Sequence, residues 1–231
     1  MPRSSSNTHL CRVALVNPNT SQATTQAMVH IAARAAPEIE IVGFTAASGA
    51  ELISNEDQLA TAAEVVAAMD PLLFNGHSGV IVSAFGDPGL QALQSALDIP
   101  VVGIAEQSMA RAAQDNRRFS VVTTTPELIC SIQTCAEIYG FGAQLMSIRI
   151  TEGALHETMA DPDLLLTRLR NGIDLAIEED NAEAIIIGGG PLAQAASTLA
   201  KDVKVPLVEP VPAAVLGLTA LLSRKDLNFP Q

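Results

Sequence analysis

Three strings in this chain return after a nearly constant interval. VALVNPNT (Val13–Thr20) is matched by SVVTTTP (Ser120–Pro126), IVSAFGDPGL (Ile81–Leu90) by IIIGGGPLA (Ile185–Ala193), and DIPVVG (Asp98–Gly103) by VKVPLVE (Val203–Glu209). Asn17 then stands opposite Thr123, Ala84 opposite Gly189 and Pro100 opposite Pro206, at offsets of 106, 105 and 106 residues. Agreement over three separate strings is the mark of a duplicated unit. Each string is a short β-branched, apolar run that breaks into turn residues before a helical pattern. That order reads as a buried strand, a tight turn and a helix start.

Taken in order, strands are predicted at 12–16, 38–44, 79–83, 99–103, 118–122, 144–150, 184–187 and 205–208, with helices between them. The alternation predicts an α/β fold with mainly parallel sheets. Together with the repeat it predicts two pseudo-symmetric Rossmann-like lobes with the active site in the cleft between them. The expected division is 10–104 plus 205–223 for the first lobe and 105–204 for the second, with flexible tails at 1–9 and 224–231. Ligands of parallel sheets bind beyond the carboxyl ends of the strands, so the equivalent strand-end loops are expected to line the cleft.

Composition narrows the partners. Apolar residues make up 48% of the 231 residues and charged ones 16%, which suits a packed core rather than a disordered chain. The net charge is −12, and the 13 basic residues form no stripe, which argues against nucleic acid and against an anionic membrane surface. A single Tyr and no Trp make base stacking a poor fit. No apolar run reaches membrane-spanning length. Cys11, Cys130 and Cys135 have neither zinc-ligand nor disulfide-framework spacing, so free thiols in a reducing, cytoplasmic compartment are expected. His9, His30, His77 and His156 lie away from the strand-end loops, and no metal site is predicted. Gly188–Gly190 runs straight into Pro191 and fits neither the dinucleotide fingerprint nor a P-loop. No cofactor is expected.

The loops at Asn17–Ser21 and Thr123–Pro126 combine hydroxyl or amide side chains with helix starts. They suit the oxygens of a small carboxylate or imide without Lys or Arg, although each also suits the capping of its own helix. Asp87, Glu106 and Glu209 are the acids nearest the strand ends. Burial would raise the pKa of any of them toward general-base work, while bonding to turn amides is the structural alternative. Asp87 and Glu209 are taken as the candidate catalytic pair.

NPNTS, FGDPG, VTTTP, the glycine turn and PLVEPVPAA, in this order, resemble the aspartate/glutamate/hydantoin racemase superfamily, closest to its hydantoin and allantoin racemase branch. The resemblance spans about 13–222. It implies two α/β lobes around one active site, no cofactor, and a homo-oligomer. It also implies a pair of cysteines, one per lobe, that exchange a proton on opposite faces of a carbon next to a carbonyl. Those positions fall on Ala84 and Gly189, neither of which transfers a proton. What carries over is substrate holding. Asn17, Thr20, Thr123 and Thr124 are expected to contact a carboxylate or imide, with Ser83, Ala84, Phe85, Gly189 and Gly190 around it. The N–H groups of Phe85 and Gly190 are the expected oxyanion donors. The expected function is a cofactor-independent isomerase acting alpha to a carbonyl in a small hydantoin- or amino-acid-like substrate, without the usual cysteine pair. The alternatives are a lyase, decarboxylase or hydrolase on a small carboxylate or cyclic imide, and a non-catalytic small-molecule binding protein.

Overall fold

A computed structural model of the chain describes residues 11–227, without the side chains of 225–227. β1 (Cys11–Asn17), β2 (Ile39–Thr45), β3 (Gly79–Val82) and β4 (Val101–Gly103) form one all-parallel sheet in the order β2-β1-β3-β4. β5 (Phe119–Thr123), β6 (Leu145–Ile150), β7 (Ala184–Ile187) and β8 (Leu207–Val208) form a second in the order β6-β5-β7-β8. The two orders are the same once the numbering is advanced by four. The expected two-lobed α/β architecture is therefore observed.

The duplication extends to individual hydrogen bonds. The Ser83 N–H donates to the Val16 carbonyl at 2.8 Å and the Gly188 N–H to the Val122 carbonyl at 2.9 Å. The Ala46 N–H reaches Asn17 at 3.0 Å, and the Thr151 N–H reaches Thr123 at 2.9 Å. The Val80 and Ile185 N–H groups each donate, at 2.9 Å, to the carbonyl of the matching proline, Pro100 and Pro206. The central strands are buried on both faces, as apolar runs without alternation require: every residue of β3, β5 and β7 is buried.

Helices cover the sheets. α1 (Gln22–Ala35) starts at Ser21, whose hydroxyl accepts from the Thr24 N–H at 3.2 Å, and α2 (Glu56–Ala67) starts at Asn55, which accepts from Gln58 at 2.9 Å. α3 (Leu90–Ala96) follows the FGDPG turn, and α5 (Ile129–Ile138) follows a 3-10 turn begun by Pro126. α6 (Leu155–Ala160) and α7 (Pro162–Glu178) lie between β6 and β7, and α8 (Ala193–Leu199) follows β7.

The two remaining helices are exchanged between the lobes. α4 (Ile104–Ala112) leaves β4, yet its Ala105, Met109 and Ala112 are buried with Phe119, Val121, Ala184 and Ile186 of the second sheet. α9 (Pro210–Leu227) leaves β8, yet Val211, Ala214, Val215 and Leu218 are buried with Val13, Leu15, Ile81 and Val102 of the first.

Two expectations need correcting, and one helix is additional. The stretch 205–208 belongs with the second lobe, because β8 hydrogen-bonds to β7; the chain returns to the first lobe only at α9. Arg224–Leu227 are helical, so only 228–231 of the expected C-terminal tail lies outside the described residues, as does the tail at 1–9. Helix α6 has no counterpart in the sequence reading. It is too short to show a period, and its Thr158 is held by the Arg168 guanidinium from α7.

Candidate active site

The carboxyl ends of β1, β3, β5 and β7 converge on one cavity between the lobes. It is lined by Asn19, Leu52, Ile53, Ser83, Ala84, Phe85, Thr123–Thr125, Leu128, Ile132, Met159 and Gly188–Leu192. The cavity is small, about 50 Å³, so its walls stand close together. Equivalent segments face each other across it: Ala84–Phe85 against Gly189–Gly190, and Leu52–Ile53 against Met159, which follows the equivalent strand of the other lobe.

The structure brings seven of the expected site residues to this cavity: Ser83, Ala84, Phe85, Thr123, Thr124, Gly189 and Gly190. Two hydroxyls act as crosspieces between strands. Ser83 Oγ donates to the Val16 carbonyl at 2.7 Å, and Thr123 Oγ1 donates to the Gly188 carbonyl at 2.7 Å. The Thr124 hydroxyl, the Asn19 side-chain NH₂ and the backbone N–H of Phe85 have no protein partner among the described residues. These donors are the polar resource a ligand would meet. Gly189 sits at φ 142°, and a Cβ on Gly190 would lie 2.8 Å from Met28 Sδ and 3.1 Å from the Ser83 carbonyl. Glycine at 190 is what lets the second lobe's turn approach the first this closely.

The other four lie elsewhere. Asn17 is fully buried, and its side-chain NH₂ is spent on Asn19 at 2.8 Å, Thr25 at 2.9 Å and the Ser21 carbonyl at 3.1 Å. It shapes the loop, while Asn19 is the residue that reaches the cavity. Thr20 anchors the loop through its N–H to Ala50 at 3.0 Å and is not among the lining residues. Glu209 accepts a bond from Ser197 of α8 and lies in a separate crevice with Arg111 and Arg117.

Asp87 lies on the far side of its own turn. One carboxylate oxygen accepts from the Ala105 N–H at 2.8 Å, the other from the Glu106 N–H at 2.8 Å and from Tyr139 Oη at 2.9 Å. It thus caps α4 from a distance of 18 residues in sequence. Burial pushes its carboxyl up to about 7, against the pull of these three donors, with the nearby Glu106 adding to the rise. Burial likewise pushes the Cys135 thiol up to about 12, and Asp87 adds to that; the Tyr139 phenol is raised for the same two reasons.

Among the described residues, no Asp, Glu, His, Lys, Arg, Cys or Tyr lines the cavity. Cys11 and Cys135 are half-buried, Cys130 is exposed, and all three are free. The walls are apolar, formed by Leu52, Ile53, Leu128, Ile132, Met159 and Leu192, with hydroxyls and amides at the strand ends. Sequence reasoning missed Asn19 and the apolar walls. Asn19 was legible as the second amide of NPN; the walls were not, because they come from loops without a motif.

Two equivalent parallel lobes thus close on a small cavity at their strand ends, lined among the described residues by apolar and uncharged polar groups. The sequence profile of the Asp/Glu/hydantoin racemase family matches residues 13–217. A hydantoin racemase of Pseudomonas sp. (strain NS671) is 34% identical over 206 residues, covering 88% of this chain and 83% of the relative. The allantoin racemase of Klebsiella pneumoniae superposes with a TM-score of 0.83 at 31% identity, over 96% of this chain and 94% of the other. Unliganded arylmalonate decarboxylase shares the fold at 16% identity, with a TM-score of 0.63 over 92% of both chains. The chain belongs to the Asp/Glu/hydantoin racemase family.

Proposed function

We propose that this chain is a cofactor-independent isomerase that racemises a small cyclic imide of the hydantoin kind, or a closely related amino-acid-like compound, at the carbon alpha to its carbonyl. The observation that carries the reading is the pairing of equivalent strand exits, Ala84–Phe85 and Gly189–Gly190, on one cavity rich in uncharged donors. With no Lys or Arg among the described lining residues, a neutral imide fits better than a free carboxylate, whose charge would be desolvated and unpaired.

The alpha C–H bond breaks with its proton passing to solvent, and the electron pair moves onto the carbonyl oxygen. The N–H groups of Phe85 and Gly190 hydrogen-bond that oxygen, and a proton returned on the opposite face completes the inversion. Preorganised donors of this kind are worth about 10²–10³ in rate each. Family resemblance supports a thiol pair for this work in relatives, at positions held here by Ala84 and Gly189. Asp87 and Glu209 are not given the proton transfer, because their carboxylates are engaged away from the cavity. The free thiols support a reducing, cytoplasmic setting, and exposed Leu72, Leu73 and Ile138 support self-association into a homo-oligomer.

The test is proton exchange in D₂O with single enantiomers of 5-substituted hydantoins and of amino acids, followed by NMR and optical rotation. Alpha-deuterium incorporation with loss of rotation is expected for the hydantoins, undiminished in Glu209→Gln. Exchange lost in Glu209→Gln would return that carboxylate to the chemistry. One specific observation favours a second reading, a binding protein that kept the cleft: no ionisable side chain among the described residues lines it. Saturable hydantoin binding without exchange would decide for that reading.

A further inference from the structure

The FGDPG turn carries Ala84 and Phe85 into the cavity, yet most of what holds it comes from outside the first sheet. The Phe85 ring is buried among second-lobe residues, with Val121, Leu128, Ile132 and Ile186 in the same cluster. Cys135 of α5 donates its thiol to the Gly86 carbonyl at 3.7 Å. The Asp87 carboxylate joins three elements at once: its own turn, the start of α4 where the chain passes between lobes, and Tyr139 at the end of α5. The seat is built for that carboxylate. A Cβ on Gly103 would lie 2.1–2.4 Å from its atoms, so the carboxylate fills the place a side chain at 103 would take. Asp87 itself is held at φ 48°, directly after Gly86 at 106°, a left-handed conformation that a non-glycine residue keeps only where the surroundings over-determine it.

We propose that Asp87 is a positioning residue, a latch that fixes the turn bearing Ala84 and Phe85 against α4 and α5 and so sets the separation of the two strand exits across the cavity. The inference takes from the functional reading only that this cavity is the working site. It replaces proton transfer by Asp87 with a geometric role, and it gives Tyr139 a role as the latch's second-lobe partner. With so little open space between the walls, a small displacement of this turn changes what the cavity admits.

The latch is sensitive to pH because its carboxyl is raised by burial, and it would ionise near its ordinary value once the turn opens to solvent. A group that holds its proton more tightly when closed favours opening as pH rises. The groups that face Asp87 are Glu106 from α4 and Tyr139 and Cys135 from α5, with Glu56 and Glu64 of α2 on the groove beyond. Glu106 raises the Asp87 carboxyl and the Tyr139 hydroxyl lowers it. Their removal must therefore move its titration in opposite directions.

The experiment is amide hydrogen exchange on the intact protein from pH 5 to 8.5, with rates corrected for intrinsic chemistry. Segments 84–90 and 103–109 should lose protection by up to about tenfold per pH unit until a break near 7, then level off. Glu106→Gln should move the break down, and Tyr139→Phe should move it up while lowering protection of the Ala105 and Glu106 amides at least tenfold. A purely local cap predicts loss of protection in Tyr139→Phe with no opposite displacement in Glu106→Gln. That result, or pH-independent protection in both segments, would overturn the proposal. No ligand is needed, so a failed latch is told apart from a failed functional reading: the first shows in exchange of these amides, the second in the absence of exchange or binding with hydantoins.

Discussion

Gly103 and Asp87 show how one residue's identity is dictated by another across the fold. Gly103→Ala places a methyl group inside the seat of the carboxylate. The expected cost is about 3 kcal/mol from overpacking and broken capping bonds, measured as a lowered urea midpoint. Asp87→Ala empties the seat, so the double variant should be less destabilised than the sum of the singles, a coupling that a double-mutant cycle reads directly. Ala84 and Gly189 pose the reverse question, of what a side chain would add. Ala84 lines the cavity, and a thiol there extends a side chain already present; at Gly189 a Cβ meets nothing nearer than Leu192 at 3.4 Å, but φ 142° strains any L residue. Ala84→Cys is therefore expected to fold normally, and Gly189→Cys to lose about 1–3 kcal/mol. If the cavity is the working site, the pair of thiols together should raise hydantoin racemisation by about 10²–10⁴, the usual yield of positioned acid–base groups, as followed by optical rotation. An unchanged rate in a folded double variant would count against the site.

At the scale of elements, the exchange of α4 and α9 decides how the molecule comes apart. Each linking helix buries its apolar face on the lobe it does not follow in sequence, so neither lobe keeps a covered core without the other. Unfolding is expected as one cooperative transition. Leu218→Ala, at a fully buried α9 position against the first sheet, should cost about 2–5 kcal/mol and move signals from both lobes to the same new urea midpoint. Two separated midpoints would show the lobes to be independent. The parallel lobes were legible in the sequence because the repeat lies in strands and strand exits, where backbone pairing and burial on both faces allow few residue types. The exchange of helices was not, since any apolar helix face reads alike whichever sheet it covers. Asp87 was legible as a rim acid, but the side of the turn it faces depends on positive φ at Gly86, Asp87 and, beyond Pro88, Gly89, and on a tyrosine 52 residues away. Asn17 and Asn19 could not be separated by type; the first is consumed by the loop it builds.

Over the whole molecule, the raised carboxyl of Asp87 sets an unusual pH dependence. In the unfolded chain it ionises near 3.8, and in the fold near 7. Between those values the folded state holds a proton that the unfolded state has released, so stability falls as pH rises. The contribution is complete below about 3.8, is lost progressively up to about 7, and changes no further above it. Asp180 works the other way: the Arg149 guanidinium and the Ser147 hydroxyl hold its carboxyl below the ordinary value, so its contribution is present at neutral pH and lost in acid. The pair is only part-buried, with 28% of Arg149 and 18% of Asp180 still exposed, and screening keeps that contribution modest. The larger Asp87 trend places the stability maximum on the acid side of neutrality, in the same direction as the relief of self-repulsion in a chain of net charge −12 at pH 7. Urea midpoints should therefore decline from pH 5 to 7 and hold level from 7 to 8, the total change amounting to a few kcal/mol. Asp87→Asn keeps the shape of the side chain and removes the titration. Where that variant folds, its midpoint should be flat over the same range; where it does not, Glu106→Gln tests the same linkage by bringing the level region to lower pH. A profile that rises from pH 5 to 7 in the unmodified protein would mean that the carboxylate under the turn is ionised throughout, and that the three donors outweigh its burial.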